Sequence, residues 1–346
     1  MSVSQETTVL PEVCRFDAAG GARIYRVSCD AFPGFVVHCY LILNYGPPTL
    51  VDVGSGFGDA NDQLLAGLEK VRTEFGETVG LADIERIIIT HGHIDHFGGL
   101  SFLHEKMPQA EIAIHQLDAR ILTAFEERVE VAKKAIRRFL QQSGVSDDML
   151  QGFMDVYGYS KKNMHSLPVA RTLVDNQKLD GLRFIHTPGH CPGQVCIMVG
   201  DVLLSADHIL PLITPHQAPE SIMPYTGLGH YLESLGKVAR VEGIRMALGG
   251  HQKPVENVYQ RIVEIRESHE RKLEKVWGVV EKSPEPLTMN DISSQLYVHV
   301  KGFHVLLALE EVAAHVEYLY QHNRLAIANL DEYRREENPA IRYVVA

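Results

Sequence analysis

The stretch IERIIITHGHIDHFGGL, from Ile84 to Leu100, limits what this chain can become more than any other segment. Its apolar, β-branched run reads as a strand buried on both faces, the pattern of a central strand in a covered sheet. The run ends in His91, His93, Asp95 and His96, three imidazoles and a carboxylate within six positions. Unpaired and dehydrated, such groups are costly. A strand end in the core tolerates them only if something takes their lone pairs, and a metal ion is the most economical candidate.

Neutral imidazole nitrogens and carboxylate oxygens suit zinc and other first-row divalent ions. His91 and His93, one residue apart, can converge on one ion, while Asp95 and His96 sit where a turn aims them at a second. A helix start there also suits Asp95, because a carboxylate is favoured near free N–H groups. Four donors do not complete two ions, and further donors stand downstream in the same setting. FIHTPGHCPG ends a strand at His190 after a Pro188-Gly189 turn. DVLLSADH places Asp207 just after another strand, and MALGGHQKP ends a third at His251. Apolar strand, tight turn, ligand-type residue: the repetition separates this series from a lone structural histidine. His104, His115, His165, His216, His230, His299, His304, His315 and His322 lack that context and read as surface or packing residues. Cys191, beside His190, reads as a small buried thiol, and His208, directly after Asp207, as a candidate for contact with substrate.

The H-x-H-x-D-H motif followed in order by His190, Asp207 and His251 resembles the metallo-β-lactamase superfamily. The likeness runs from about Ala22 to Pro254 and includes VDVGSG, similar to the superfamily's first motif. It implies an α/β fold, a four-layer αββα sandwich with the metals at one sheet edge. It also implies two divalent ions per chain, zinc first, with iron or manganese as alternatives. His91, His93 and His190 would hold one ion, Asp95, His96 and His251 the second, with Asp207 bridging and Asp52 supporting the ligand loops. In the implied chemistry a hydroxide shared by two ions attacks a carbonyl or a phosphorus. Asp95 orients the nucleophile and takes its proton, and Asp207 holds the ions at their spacing. The C-terminal region resembles the winged-helix extension of the branch containing β-lactamase-like protein 2.

The organisation fits that expectation. Short strands broken by Pro33-Gly34 and Pro47-Pro48 open the chain, and strands return in LRFIHT, QVCIMVG, DVLLSAD and RMALGG. Residues 1–255 read as the catalytic domain, with 116–170 as a helical cap inserted between EIAIH and the next strand. Residues 256–346 read as a helical, winged-helix-like domain closed by the strand IRYVVA. At 346 residues the chain exceeds a typical single core. A net charge of −11 argues against a general nucleic-acid or membrane-surface binder. The five cysteines form no C-x-x-C pair, no basic n-region opens the chain, and no apolar run approaches the roughly 20 residues of a membrane span. These features point to the cytoplasm.

The substrate is less legible. The insertion supplies Phe153, Met154, Tyr157, Tyr159 and Met164, able to line an apolar acyl pocket or merely to hold the insertion to the body. It also carries Lys133, Lys134, Arg137 and Arg138, a solvated helix face or a binding site for an anionic group. From Ser283 onward nine acids outnumber Lys301, Arg324, Arg334, Arg335 and Arg342, which favours packing or a homodimer over nucleic-acid reading. Two activities remain in view. One is hydrolysis of a small thioester, ester or lactone under the helical lid, and the other is metal-dependent cleavage of single-stranded RNA.

Overall fold

The computed structural model describes residues 9–159 and 164–346. Four strands open the chain, each antiparallel to the one before: β1 (Cys14–Asp17), β2 (Arg23–Phe32), β3 (Phe35–Leu43) and β4 (Thr49–Val51). Then the direction changes. Helix α1 (Ala60–Glu74) carries the chain back so that β5 (Arg86–Ile89) runs parallel to β4. Helices α2 (Ile94–Phe97) and α3 (Leu100–Lys106) do the same for β6 (Glu111–His115). Three helices, α4 (Ala119–Thr123), α5 (Phe125–Ser143) and α6 (Asp147–Tyr159), fill the connection to β7 (Arg171–Leu173), again parallel. The seven strands form one sheet in sequence order.

A second sheet follows. β8 (Lys178–Leu179), β9 (Leu182–His186), β10 (Val195–Val199) and β11 (Val202–Ala206) are successively antiparallel. Helix α7 (Leu228–Ala239) then returns the chain so that β12 (Met246–Gly249) lies parallel to β11. The sheets share one core. Ile24, Ile42, Val51 and Ile88 from the first meet Phe184, Val195, Ile197 and Leu204 from the second, all withdrawn from water. Each such side chain contributes about 1.5–3 kcal/mol relative to exposure, so the αββα sandwich is specified by its apolar inner faces. On the outer side α1 lies so close to β2 that a Cβ on Gly67 would stand 2.2 Å from Val27 Cγ1.

The remaining elements are α8 (Val258–Lys282), β13 (Leu287–Thr288), α9 (Met289–Leu296), α10 (Phe303–Gln321), β14 (Leu325–Ile327), α11 (Leu330–Arg335) and β15 (Arg342–Val345). The three strands make an antiparallel sheet in the order β13-β15-β14. Helix α9 starts where its sequence directs: Asp291 N donates to Thr288 Oγ1 at 3.1 Å, and Thr288 N donates back to Asp291 Oδ2 at 2.9 Å.

The chain divides into two compact units. The first comprises the chain up to Phe125 with Met164–Pro215 and Leu235–Ile262. The second comprises the stretch from Glu126 through α6, with His216–Ser234 and Val263–Ala346. Most of the helical segment between β6 and β7 therefore groups with the C-terminal elements. Among the described residues, no helix is long and apolar enough to cross a membrane.

Candidate metal centre

Parallel pairing explains why the polar residues gather. Asp52, His91 and Asp118 follow the C-terminal ends of β4, β5 and β6, three parallel neighbours. His190, Asp207 and His251 follow β9, β11 and β12, which also run in one direction. Strands that point the same way deliver their last residues to one edge. A four-residue helix, α2, then turns Asp95 and His96 back toward that edge.

The candidate donor atoms form two sets. His91 Nε2 and His93 Nδ1 are 3.1 Å apart, and His190 joins them within 4.8 Å. Asp95, His96, Asp207 and His251 form the second set within the same span. Asp207 faces both. Its Oδ1 is 3.5 Å from His96 Nε2, while its Oδ2 is 3.6 Å from His190 Nε2 and 3.2 Å from His251 Nε2. Asp95 Oδ2 is 3.3 Å from His251 Nε2.

The hydrogen bonds on the far side of each ring fix which nitrogen carries a lone pair. His96 Nδ1 donates to Asp52 Oδ2 at 2.8 Å, and His251 Nδ1 donates to the carbonyl of Val36 at 2.7 Å. Thr90 Oγ1 gives its proton to Asp52 Oδ2, so His91 Nδ1 donates to Thr90 Oγ1 at 3.1 Å. All three rings therefore turn Nε2 inward, leaving that nitrogen as the one a metal would take, the arrangement expected of imidazoles that bind metal. His96 Nε2, His251 Nε2 and Asp207 Oδ1 are buried without a hydrogen-bond partner. A divalent cation would satisfy these buried atoms together. The tight fit extends to the backbone: a Cβ on Gly250 would lie 2.4 Å from Asp207 Oδ1 and 2.6 Å from His96 Cε1.

Electrostatics divides the centre in two. Burial, reinforced by neighbouring imidazoles, holds His91 and His93 well below the usual histidine range. They are neutral and ready to ligate. Burial opposes charge on His251 too, but Asp207 and Asp95 outweigh it and raise its pKa to about 10. The carboxylate half of the centre thus draws positive charge from whatever stands beside it.

Asp52 accepts Thr90 N at 2.8 Å as well as the Thr90 hydroxyl and His96, tying β4 to the ligand loop after β5. Asp52, Ala206 and Gln252 all adopt left-handed φ values, 59°, 45° and 67°. Each costs about 1–3 kcal/mol in a non-glycine residue, and each lies beside or supports a ligand.

Asp118 is a carboxylate at the same edge that the sequence pattern did not single out. Fully buried, it accepts Gly92 N at 2.8 Å and Gly193 N at 2.9 Å, and the Cys191 thiol donates to it at 3.3 Å. One carboxylate therefore clips the loop of His91 and His93 to the loop of His190. A side chain on Gly193 would collide with it, with Cβ 2.5 Å from Asp118 Cγ. The clue was present, since EIAIH-QLD repeats the design of strand, turn and acid. Cys191 is buried, and burial with the nearby Asp118 pushes its thiol pKa well up.

The residues expected to contact substrate have diverse settings. His208 is entirely buried. Phe153 and Tyr157 lie half-buried on α6 in the second unit, and Met164 is half-buried in the first. The side chain of Tyr159 lies outside the described residues. The aromatic that stands at the ligands is Phe35, at the tip of the β2–β3 hairpin. Its ring centroid is 4.4 Å from that of His251, and it is 41% exposed. Phe32 and Phe57 continue the apolar wall, with centroids 5.8 Å apart. In the basic run Lys133 is bonded to Glu130 at 2.6 Å, and Arg138 reaches the carbonyl of Ser221 at 3.5 Å.

Comparison with known proteins gives a consistent answer. The model of the Metallo-beta-lactamase superfamily matches residues 32–273. A probable metallo-hydrolase of Bacillus subtilis (strain 168), YqjP, is 23% identical over 317 residues, 87% of this chain and 88% of that protein. Two solved structures share the fold. The metallo-beta-lactamase family protein TTHA1429 of Thermus thermophilus has a TM-score of 0.72 and 24% identity over 93% of this chain and 98% of that one. A beta-lactamase domain protein of Burkholderia ambifaria has a TM-score of 0.74 and 23% identity, over 99% and 97%.

Proposed function

The chain belongs to the metallo-beta-lactamase superfamily, and on that premise we propose a hydrolase with two divalent cations, zinc in the first place, acting on a small thioester, ester or lactone. The observation that carries this reading is Asp207, whose two oxygens face the two ligand sets. When bound, the ions polarise a carbonyl oxygen and lower the pKa of a water enough for it to attack near neutrality. The chain supplies the rest. His91, His93 and His190 would hold one ion. Asp95, His96 and His251 would hold the other, with Asp207 between.

Asp95 orients the attacking water and receives its proton. Asp52 and Asp118 keep the ligand loops in register, so the ligands need not reorganise when charge develops. Phe35 presents an exposed apolar face beside His251, which supports an acyl group rather than a phosphate as the part of the substrate seated there.

The endoribonuclease reading draws on the C-terminal elements, whose order of helices and β13-β15-β14 sheet is compatible with a winged helix. Against it stand the acidic balance of that module and the pairing of Lys133 with Glu130. A winged helix used for packing or self-association fits both. Five free cysteines, all but Cys14 buried, suit a reducing compartment.

The deciding experiment is turnover by metal-loaded protein on acyl-coenzyme A thioesters, acyl lactones, aryl esters and single-stranded RNA, with Asp207→Ala as the blank. Carbonyl substrates cleaved only by the wild type support the proposal. Cleavage of RNA alone replaces it.

A further inference from the structure

The second compact unit holds another group of ligand-type side chains that shares no residue with the strand-end centre. Glu311 and His315 are one helical turn apart on α10 and so share a face, and His269 faces them from α8. Their donor atoms lie within 4.8 Å of one another, and all three residues are buried. The sequence around His315 points to packing, and that around His269 carries no ligand signal at all.

The proton positions follow from the partners. His315 Nδ1 donates to the carbonyl of Glu311 at 2.6 Å, so its Nε2 carries the lone pair. This is the outer hydrogen bond that orients metal-binding imidazoles, seen also at His251. His269 Nδ1 lies 3.1 Å from that nitrogen, and His269 Nε2 is buried without a hydrogen-bond partner. In either tautomer, one nitrogen of His269 is left unsatisfied.

We propose that His269, Glu311 and His315 form a third divalent-cation site of the zinc class, stapling α8 to α10. Two imidazoles and one carboxylate are a known three-residue set for zinc, with one position left for water. Burial holds both imidazoles below the usual histidine range, His269 at about 3, so both are unprotonated at neutral pH.

A competitor already occupies part of this site. Lys272 Nζ is 2.7 Å from Glu311 Oε1, and Gln217 N donates to Oε2 at 2.9 Å. A carboxylate offers about four lone-pair positions, so these bonds leave room for a further ligand bond. The ammonium, however, must yield to a dication. A cavity of about 150 Å³ lined by Lys272, Glu311 and His315 gives it space to withdraw. Lysine and metal therefore compete for one carboxylate.

That competition supplies the test. Full-length apo protein is titrated with Zn²⁺, and the bound ions are counted by elemental analysis in wild type, His315→Gln, Lys272→Met and Asp207→Ala. The site predicts one ion more in wild type than in His315→Gln. It predicts that this ion persists in Asp207→Ala and binds at least tenfold tighter in Lys272→Met. Equal counts in Lys272→Met and His315→Gln overturn the proposal, because removing the competitor would then expose no site. Lys272→Met keeps the helix and both imidazoles, so the outcome does not depend on how His315→Gln folds.

Discussion

Asp95 in the strand-end centre and Glu310 on α10 are both acids largely withdrawn from water, yet they titrate in opposite directions. At Asp95 burial alone would raise the pKa, but His96 and His251 outweigh it and bring it to about 2. At Glu310 burial acts without a countercharge and pushes the pKa up to about 8. The nearby ring of His216 stands 3.5 Å away, but burial holds it neutral. Depth does not decide the protonation of a carboxyl group; its neighbours do. The strand-end region crowds carboxylates among imidazoles and so accumulates a demand for positive charge. On α10 burial favours the neutral form of Glu310, while Lys272 matches the charge of Glu311.

The largest effect that would break this contrast comes from Asp207→Ala. Removing the carboxylate shared by both ligand sets should lower turnover about 10³-fold, the equivalent of several kcal/mol, and should cost one ion by elemental analysis. Full activity with both ions retained would end the assignment of Asp207 as the bridge.

Next in size is Asp118→Asn, which leaves every ligand in place but weakens the clip between their loops. Affinity for the ion at His91, His93 and His190 should fall about 10–100-fold, measured by competition with a chromogenic chelator. An unchanged affinity would show that the strands alone fix the loops.

Phe35→Ala tests the apolar wall. For acyl substrates it should raise KM about tenfold with kcat near the wild-type value, as loss of uniform binding does. A fall in kcat alone would place Phe35 at the reacting atoms.

The smallest effect belongs to Glu310→Gln. Between the ordinary carboxylate value and about 8, folded protein keeps a proton that the unfolded chain has released, so wild-type stability declines as pH rises. The glutamine variant lacks that decline. Its melting temperature should therefore gain on the wild type's as pH rises from 5 to 9. A pH-independent difference would mean that Glu310 titrates normally.

The gathering of polar residues at the strand ends was legible because each is announced locally, by an apolar strand, a turn and a donor-type side chain. The helical segment between β6 and β7 was legible for a similar reason, the spacing of its apolar residues. Asp118 was not, because its role is to accept backbone N–H groups from Gly92 and Gly193, 26 and 75 positions away. β13 and β14 have two and three residues, too few for an alternating pattern to register. His269 sits in the middle of a 25-residue helix with nothing nearby in sequence to mark it. Phe35 was visible only as a neighbour of a turn, since its relation to His251 spans the two sheets.

The spread of ligands over separate strand ends has a consequence in time. Synthesis adds about 5–20 residues per second, and His251 comes 160 positions after His91. The HGHIDH segment therefore leaves the ribosome about 8–32 s before its last partner. His190 precedes His251 by 61 positions, so the three-imidazole set exists in full while the second set still lacks a member. The order of ligands along the chain is also an order of availability, with the neutral set completed first and the anionic one last.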